Sequence, residues 1–430
     1  MRRTILLGVL LAVLVWSGTS WAMDFDDLFG GDLLIELDPE ETVVAPEEAL
    51  LVQDRVEVGG RYNFSLNASR TIAEGADPSN DFRASLGGQL YLDARPDPNF
   101  RAFGKVGINY NVNNKEKPLT AELQELFADF NYGNKVFFRA GKQNVKWGVG
   151  YFFSPADIIN IGRIDPLNPE AEREGPVALK MHYPRGTNNF YLYTLFDGVT
   201  DVQQIAFAPK VEFVAGKTEY SLGGFYQKDD HPRVMATVSS SFGDIGFFGE
   251  AVAAWGSDRG FLEPKGPAYE IAEKKGLFLQ VTAGGMYRWK DSEGLLDLSG
   301  TLQYYFNGEG YKDQEGIKAV RLALLNQGFP PVVNPLKLDS LALLGSGRHY
   351  LAGALSWNKM FGSKFSASVF LQANLSDGSG MIHSTLRLPS VSKISPSIGV
   401  STNFGSPGTE FGALGRTVMV FAAITIGDSF

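Results

Sequence analysis

The chain has 430 residues, a formal net charge of −9, 20% charged residues and no cysteine, and it is rich in glycine (49), phenylalanine (31) and tyrosine (16). The missing cysteine excludes disulfides, thiolate metal sites and a lipid-modified N-terminal cysteine, and the acidic balance leaves no basic footprint for a nucleic acid. Past residue 22 no apolar run approaches the ~20 residues of a membrane helix, so entry into a membrane requires a closed sheet that pairs every backbone group internally.

At the N-terminus, Arg2 and Arg3 precede an apolar stretch from Ile5 to Trp16. Small residues follow, with Ser20 and Ala22 at the spacing that a signal peptidase reads, so residues 1–22 are expected to be a cleaved signal peptide. Residues 23–54 form an acidic segment. It carries eleven acids, from Asp24 to Asp54, and no Lys or Arg. Setting these acids aside with Arg2 and Arg3 leaves 37 basic against 37 acidic residues, so the negative balance resides in this arm. Two readings of it stand: a solvated periplasmic leader, or a small plug whose Leu33, Leu34, Ile35 and Leu37 anchor inside a pore while its acids meet lumen bases.

From residue 55 onward the sequence alternates. Val56, Val58, Gly60, Tyr62, Phe64 and Leu66 fall on one face, and Glu57, Gly59, Arg61, Asn63 and Ser65 on the other. The same period of two recurs over 82–95 and 101–110, which makes these strands with one apolar face. They reach twelve or more residues, whereas soluble strands usually run to five or six; such lengths suit tilted membrane strands. Further strands are expected near 121–132, 135–147, 175–184, 188–196, 203–214, 216–228, 232–242, 245–256, 276–290, 294–307, 348–361, 364–376, 380–389, 393–404 and 415–430. The total is about eighteen, with 16–18 as the range. Every second connection is tight, as at Gly133–Asn134, Ala215–Gly216 and Gly243–Asp244, while the others include the long ones at 148–174, 257–275 and 308–347. The fold class is therefore an all-β, transmembrane, antiparallel up-and-down barrel over residues 55–430, with short periplasmic turns and long outside loops.

The inward faces carry both signs of charge. Arg61, Arg83, Arg101, Lys105, Arg139 and Lys180 are expected to be pore-lining bases, and Glu125, Asp129 and Glu250 pore-lining acids. Keeping both charged faces inward in the hairpin of the fourth and fifth strands pairs Asp129 with Arg139 and Phe127 with Gly141. Such wall charges either neutralise one another or form a basic stripe that draws anionic solutes.

The most distinctive stretch runs from Gly141 to Asp157, with Gly141-Lys142-Gln143, Trp147-Gly148 and Pro155-Ala156-Asp157. Trp147 is expected at the height of interfacial aromatics. A loop dense in proline and paired charges follows, with Asp157, Arg163, Asp165, Glu170 and Arg173 as candidate constriction residues. This pattern resembles the "G-[RK]-Q … W-G … P-x-D" stretch of Gram-negative outer-membrane porins of the alginate-export and related substrate-specific kind. The resemblance covers about 35 residues and the general barrel layout. It implies residence in the bacterial outer membrane, a third outside loop that folds into the pore, and a terminal aromatic, Phe430, that the outer-membrane assembly machinery reads. The alternative for 148–174 is an exposed surface loop. In the loop 308–347, apolar spacing at Ile317, Val320 and Leu324 is compatible with a short helix.

These features point to a channel for small hydrophilic solutes of anionic or saccharide-like character. The competing reading is a surface polysaccharide-binding or export barrel. An enzyme is poorly supported: no HExxH, GxSxG or phosphate-binding loop occurs, and neither cofactor nor metal site is expected. His182 and His383 fall on inward faces, His231 and His349 near outside edges.

Overall fold

The computed structural model describes residues 55–430 except Ala76, residues 292–295, Gln327 and Leu414. The expected signal peptide (1–22) and acidic segment (23–54) lie outside the described residues. Twenty strands follow in chain order: β1 (Arg55–Ala73), β2 (Ser79–Asp97), β3 (Phe100–Asn111), β4 (Leu119–Tyr132), β5 (Val136–Lys142), β6 (Val177–Arg185), β7 (Asn188–Leu195), β8 (Ala206–Ala215), β9 (Thr218–Phe225), β10 (Arg233–Phe242), β11 (Ile245–Trp255), β12 (Gly260–Lys265), β13 (Ala268–Glu273), β14 (Leu277–Lys290), β15 (Asp297–Asn307), β16 (His349–Asn358), β17 (Ser366–Asn374), β18 (Ser379–Arg387), β19 (Ile394–Phe404) and β20 (Thr417–Ser429). The α-helix α1 (Glu315–Leu325) lies in the long connection before β16.

All but β12 and β13 join one 18-stranded sheet in which sequence neighbours pair antiparallel. The sheet closes when β20 returns to β1, from Arg61 opposite Ser429 to Ala73 opposite Thr417. The Phe430 and Gly60 backbones seal this seam reciprocally, N to O, at 2.9 and 3.0 Å. Closure leaves the 18-stranded sheet without an edge strand to aggregate.

Alternation fixes which residues face out. Val58, Leu86, Leu90, Ile108, Leu126, Leu222, Leu302, Leu355, Ile398 and Val420 are all exposed on the outer surface. Exposed aromatics sit near strand ends, with Tyr132, Phe242, Tyr287 and Trp289 toward the tight turns and Tyr110 and Trp255 toward the loops. This is an apolar belt with aromatic girdles, the surface a lipid bilayer selects. The predicted hairpin register is the one observed, with Asp129 opposite Arg139 and Phe127 opposite Gly141.

Two local departures matter. The fifth strand was expected to reach residue 147 but ends at Lys142, because Gly141 takes φ +131° and a side chain there would lie 2.1 Å from the Leu126 carbonyl. The loop therefore spans 143–176, not 148–174. The connection 257–275 is not irregular throughout: β12 and β13 form a hairpin in it. That hairpin packs Leu262 and Ile271 against Ile317, Val320 and Leu324 of α1 and against Leu341, so the two long connections share a small core of their own.

Candidate functional site: the loop across the lumen

Loop 143–176 turns inward as soon as β5 ends. Gln143 is buried and donates to the carbonyls of Ala178 (3.0 Å) and Gly141 (3.2 Å). Gly175 closes the loop's base, since a Cβ there would meet the Gln143 carbonyl at 1.8 Å. Trp147 does not sit at the membrane interface. It is 1% exposed, packs edge-on against Tyr193 at 5.1 Å and lies in an apolar cluster with Val145, Ala178, Ala208, Met235 and Val252. Lys210 donates to its carbonyl at 3.0 Å and stands 5.2 Å over its ring. Burial of the indole against the wall of β6–β11 outweighs the interfacial preference of tryptophan.

Beyond Trp147 the backbone wraps around one carboxylate. Glu250 of β11 accepts from the amides of Val149 and Gly150 (both 2.5 Å) and Ala156 (2.9 Å) and from the Ser154 hydroxyl (2.9 Å). Charge-assisted bonds of this kind are about twice as strong as neutral ones. Glycine is required at two points. A Cβ on Gly148 would lie 2.0 Å from the Ser154 hydroxyl and 2.5 Å from Glu250, and one on Gly150 would lie 2.0 Å from the Phe153 carbonyl. Glu250, expected on the open wall, is 3% exposed beneath the loop.

The loop then reaches the opposite wall. Gln303 of β15 accepts from the Phe152 amide at 2.6 Å and donates to the Phe153 carbonyl at 2.6 Å, a two-point grip on one peptide segment. Phe152 inserts against Phe370 and Ala352, and Phe153 stacks on Tyr305 at 5.2 Å. The loop is thus tied to β6–β8, β11 and β15–β17, and it crosses the lumen. Asp157 pairs with Arg173 within the loop, and Tyr151 donates to Glu170 at 3.1 Å. Burial, then the Glu170 charge, pushes the Tyr151 phenol above its ordinary range. Asp165 accepts from the Leu167 amide at 2.9 Å in a turn.

Below the loop, toward the tight turns, the wall of β2–β5 is a ladder of alternating charge. Asp93 receives Arg95 and Arg101 (both 2.9 Å), Arg101 reaches on to Asp129 at 3.5 Å, and Asp129 binds Arg139 at 2.6 Å. Arg139 lies 3.9 Å over the ring of Phe127, the residue opposite Gly141 in the ladder. Lys105 bridges Glu125 of the wall and Glu172 of the loop, each at 2.8 Å. Lys180 stands 5.3 Å over the Tyr191 ring, and no carboxylate lies within 4 Å of it among the described residues. Arg61 is exposed on the inward face of β1.

Above the loop, a cavity of about 1160 Å³ opens toward the loop end of the barrel. Phe153, Tyr305, Arg163, Arg83, Arg173, Asp157 and Asp165 are among the residues that line it. Arg83 is paired with Asp81 at 2.6 Å, whereas exposed Arg163 has no ion-pair partner among the described residues. Of the site residues read from sequence, Asp157, Arg163, Asp165 and Arg173 meet at this cavity, and Arg101, Lys105, Arg139, Glu125 and Asp129 meet on the wall below it. Arg61 stands apart near the seam, and Glu170 sits behind Tyr151. Sequence reading missed Gln303, and although Lys210 reads as an inward base and Ser154 lies in the distinctive stretch, their part in fixing the loop comes from contacts that only the fold reveals. The Gly148-Val149-Gly150 spacing is the local signal that a backbone approaches something closely there.

No protein-family model matches this sequence, and no curated protein is significantly similar to it. Among solved structures, OccK2 (OpdF) of Pseudomonas aeruginosa in complex with glucuronate is similar over 87% of this chain and 98% of its own, at 9% identity and a TM-score of 0.50. OccAB1 of Acinetobacter baumannii is similar over 87% and 97%, at 12% identity and a TM-score of 0.49. The outer membrane protein opdK of Pseudomonas aeruginosa is similar over 87% and 99%, at 8% identity and a TM-score of 0.48. The likeness to OccK2 is one of fold.

Proposed function

We propose that this chain is a bacterial outer-membrane channel through which small hydrophilic, chiefly anionic solutes diffuse, with loop 143–176 setting the width of the path. The observation that carries this reading is the loop's double attachment: Glu250 and Gln303 hold it across a barrel whose outer face is apolar and whose inner face is charged. A charged inner wall is wet, because unpaired buried charges are costly. The anionic preference rests on Arg163 in the vestibule lining and on Lys180 below it, neither of which has an ion-pair partner among the described residues. OccK2 holds glucuronate, a sugar acid of the size and charge that such a path suits.

In this reading residues 1–22 direct export and are removed, residues 23–54 stay on the periplasmic side, and Phe430 is the residue the assembly machinery recognises. Planar-bilayer recordings of the purified protein test the channel. The expected result is stepwise current with a reversal potential favouring anions. Absence of conductance from both the full chain and a variant lacking residues 149–173 would sink the proposal.

A further inference from the structure

One tight turn departs from its neighbours. At Gly133, Gly186, Gly216 and Gly243 a left-handed turn position is taken by glycine, with φ between +60° and +65°. The turn from β16 to β17 puts Lys359 (φ +50°) and Phe361 (φ +53°) in that region, ahead of Gly362 (φ +72°). Glycine adopts this conformation without steric cost, whereas a bulky side chain there is strained. Among the described residues Phe361 is the only aromatic with a positive φ. The Met360 and Gly362 amides donate to the Phe365 and Lys359 carbonyls at 2.9 and 2.8 Å, so the turn is closed and the ring stays where the backbone puts it. Burial within the protein does not offset the strain, because Phe361 is 77% exposed. Its one ring contact is Trp357, with centroids 4.6 Å apart. Trp357 faces outward in a ladder row that runs Trp289, Leu298, Trp357 and Ala367 across β14–β17. Phe361 therefore extends the apolar belt beyond the strand ends.

Lys359 and Lys364 flank the ring, both exposed, and neither has an ion-pair partner among the described residues. The carboxylates of the adjoining ladder and turns are engaged elsewhere. Asp297, opposite Asn358, is buried and held by Arg288 at 3.2 Å, Asp428 is held by Lys393, and Asp291, which follows Lys290, accepts the Leu296 amide at 3.0 Å. Strained residues persist where a function keeps them, and here the contact that rewards the exposed ring lies in the surrounding lipid. Two free ammonium groups at the border of an apolar patch suit an anionic head group, with the lysine stems lying along the apolar surface and the charges reaching the phosphate. We propose that the β16–β17 turn binds an anionic phospholipid of the periplasmic leaflet, its acyl chain against Trp357 and Phe361 and its phosphate between Lys359 and Lys364. The proposal uses the barrel's place in the outer membrane and not its conductance.

Native mass spectrometry of the full chain in detergent micelles, with phosphatidylglycerol or phosphatidylethanolamine added, tests this. The first phosphatidylglycerol should bind about tenfold more tightly than phosphatidylethanolamine, the difference that two lysines at a membrane surface supply. The double substitution Lys359→Ala with Lys364→Ala should abolish that preference while heat-modified gel migration persists. Lys135→Ala with Lys217→Ala, in two other tight turns, should leave it intact. Phe361→Gly keeps the turn, since glycine takes the left-handed region freely, and should weaken binding of both lipids several-fold. Four results overturn the proposal: equal affinity of the unmodified chain for the two lipids, full preference in the Lys359/Lys364 variant, an equal loss in the Lys135/Lys217 variant, or unchanged affinity after Phe361→Gly. None of these readings depends on current through the barrel, so the channel and this site succeed or fail separately.

Discussion

The lumen loop 143–176 and the cap built from 257–275 and 308–347 both fold back over the same barrel, yet different forces hold them. Past Trp147 the loop packs Phe152, Ala156 and Ile159 against the barrel wall and not on a core of its own. Its backbone amides are gathered by one carboxylate and one carboxamide on the wall, Glu250 and Gln303. The cap buries Ile317, Val320 and Leu324 against the hairpin in a core of its own. Polar anchoring sets position to within a hydrogen bond and depends on the wall, whereas apolar packing sets internal shape and tolerates sliding. A segment that has to define a pore width is expected to use the first.

Removal of residues 149–173 is the bluntest way to break this contrast. It should raise single-channel conductance several-fold while the barrel still forms, which bilayer recording and heat-modified gel migration would check. Next comes Glu250→Ala. It orphans three amides and a hydroxyl at once, and each lost bond to a charged group weakens the tether by about 1.5–3 kcal/mol before compensation by water. Current should become larger and noisier, and amide exchange at 149–156 should accelerate, with unchanged protection in the strands. Ile317→Ala should cost the cap about 2–4 kcal/mol through the cavity it leaves. Proteolysis of the cap would rise while conductance stays the same, and a conductance change equal to that of Glu250→Ala would erase the distinction. The smallest effect is expected for Arg163→Glu, roughly a twofold fall in the anion-to-cation permeability ratio, read from the reversal potential in a salt gradient.

Much of this architecture is legible in the sequence because a half-lipid, half-water environment stamps every strand with a period of two. The β4–β5 register was readable from Asp129 and Arg139, since only one alignment keeps both inward and opposite. Length alternation of the connections gave the two ends of the barrel. What sequence could not supply is which wall residue a loop reaches. Glu250 reads as one more inward acid, and only the closed cylinder brings it to Gly150, a hundred positions earlier. Trp147 misled for the same reason: its preference for an interface is real, but the turn at Gly141 takes it inside before the strand reaches that height. The β12–β13 hairpin is short and carries Pro264, so its alternation is too brief to stand out.

One small irregularity shows how strictly this chain counts its residues. In the β3–β4 ladder Lys105 faces Glu125 but the next pair is Val106 with Leu123, so Gln124 is an extra residue, received beside Gly107 and bonded to Gln89 at 2.8 Å. Before it, Leu119, Ala121 and Leu123 point to lipid; after it, Leu126, Ala128 and Phe130 do. Odd numbers have given way to even. The bulge at Gln124 acts as a phase corrector: flattening it with Gln124 kept in the ladder would behave like a frameshift written in geometry, turning leucines toward water and Glu122 toward hydrocarbon along half a strand without altering a single letter.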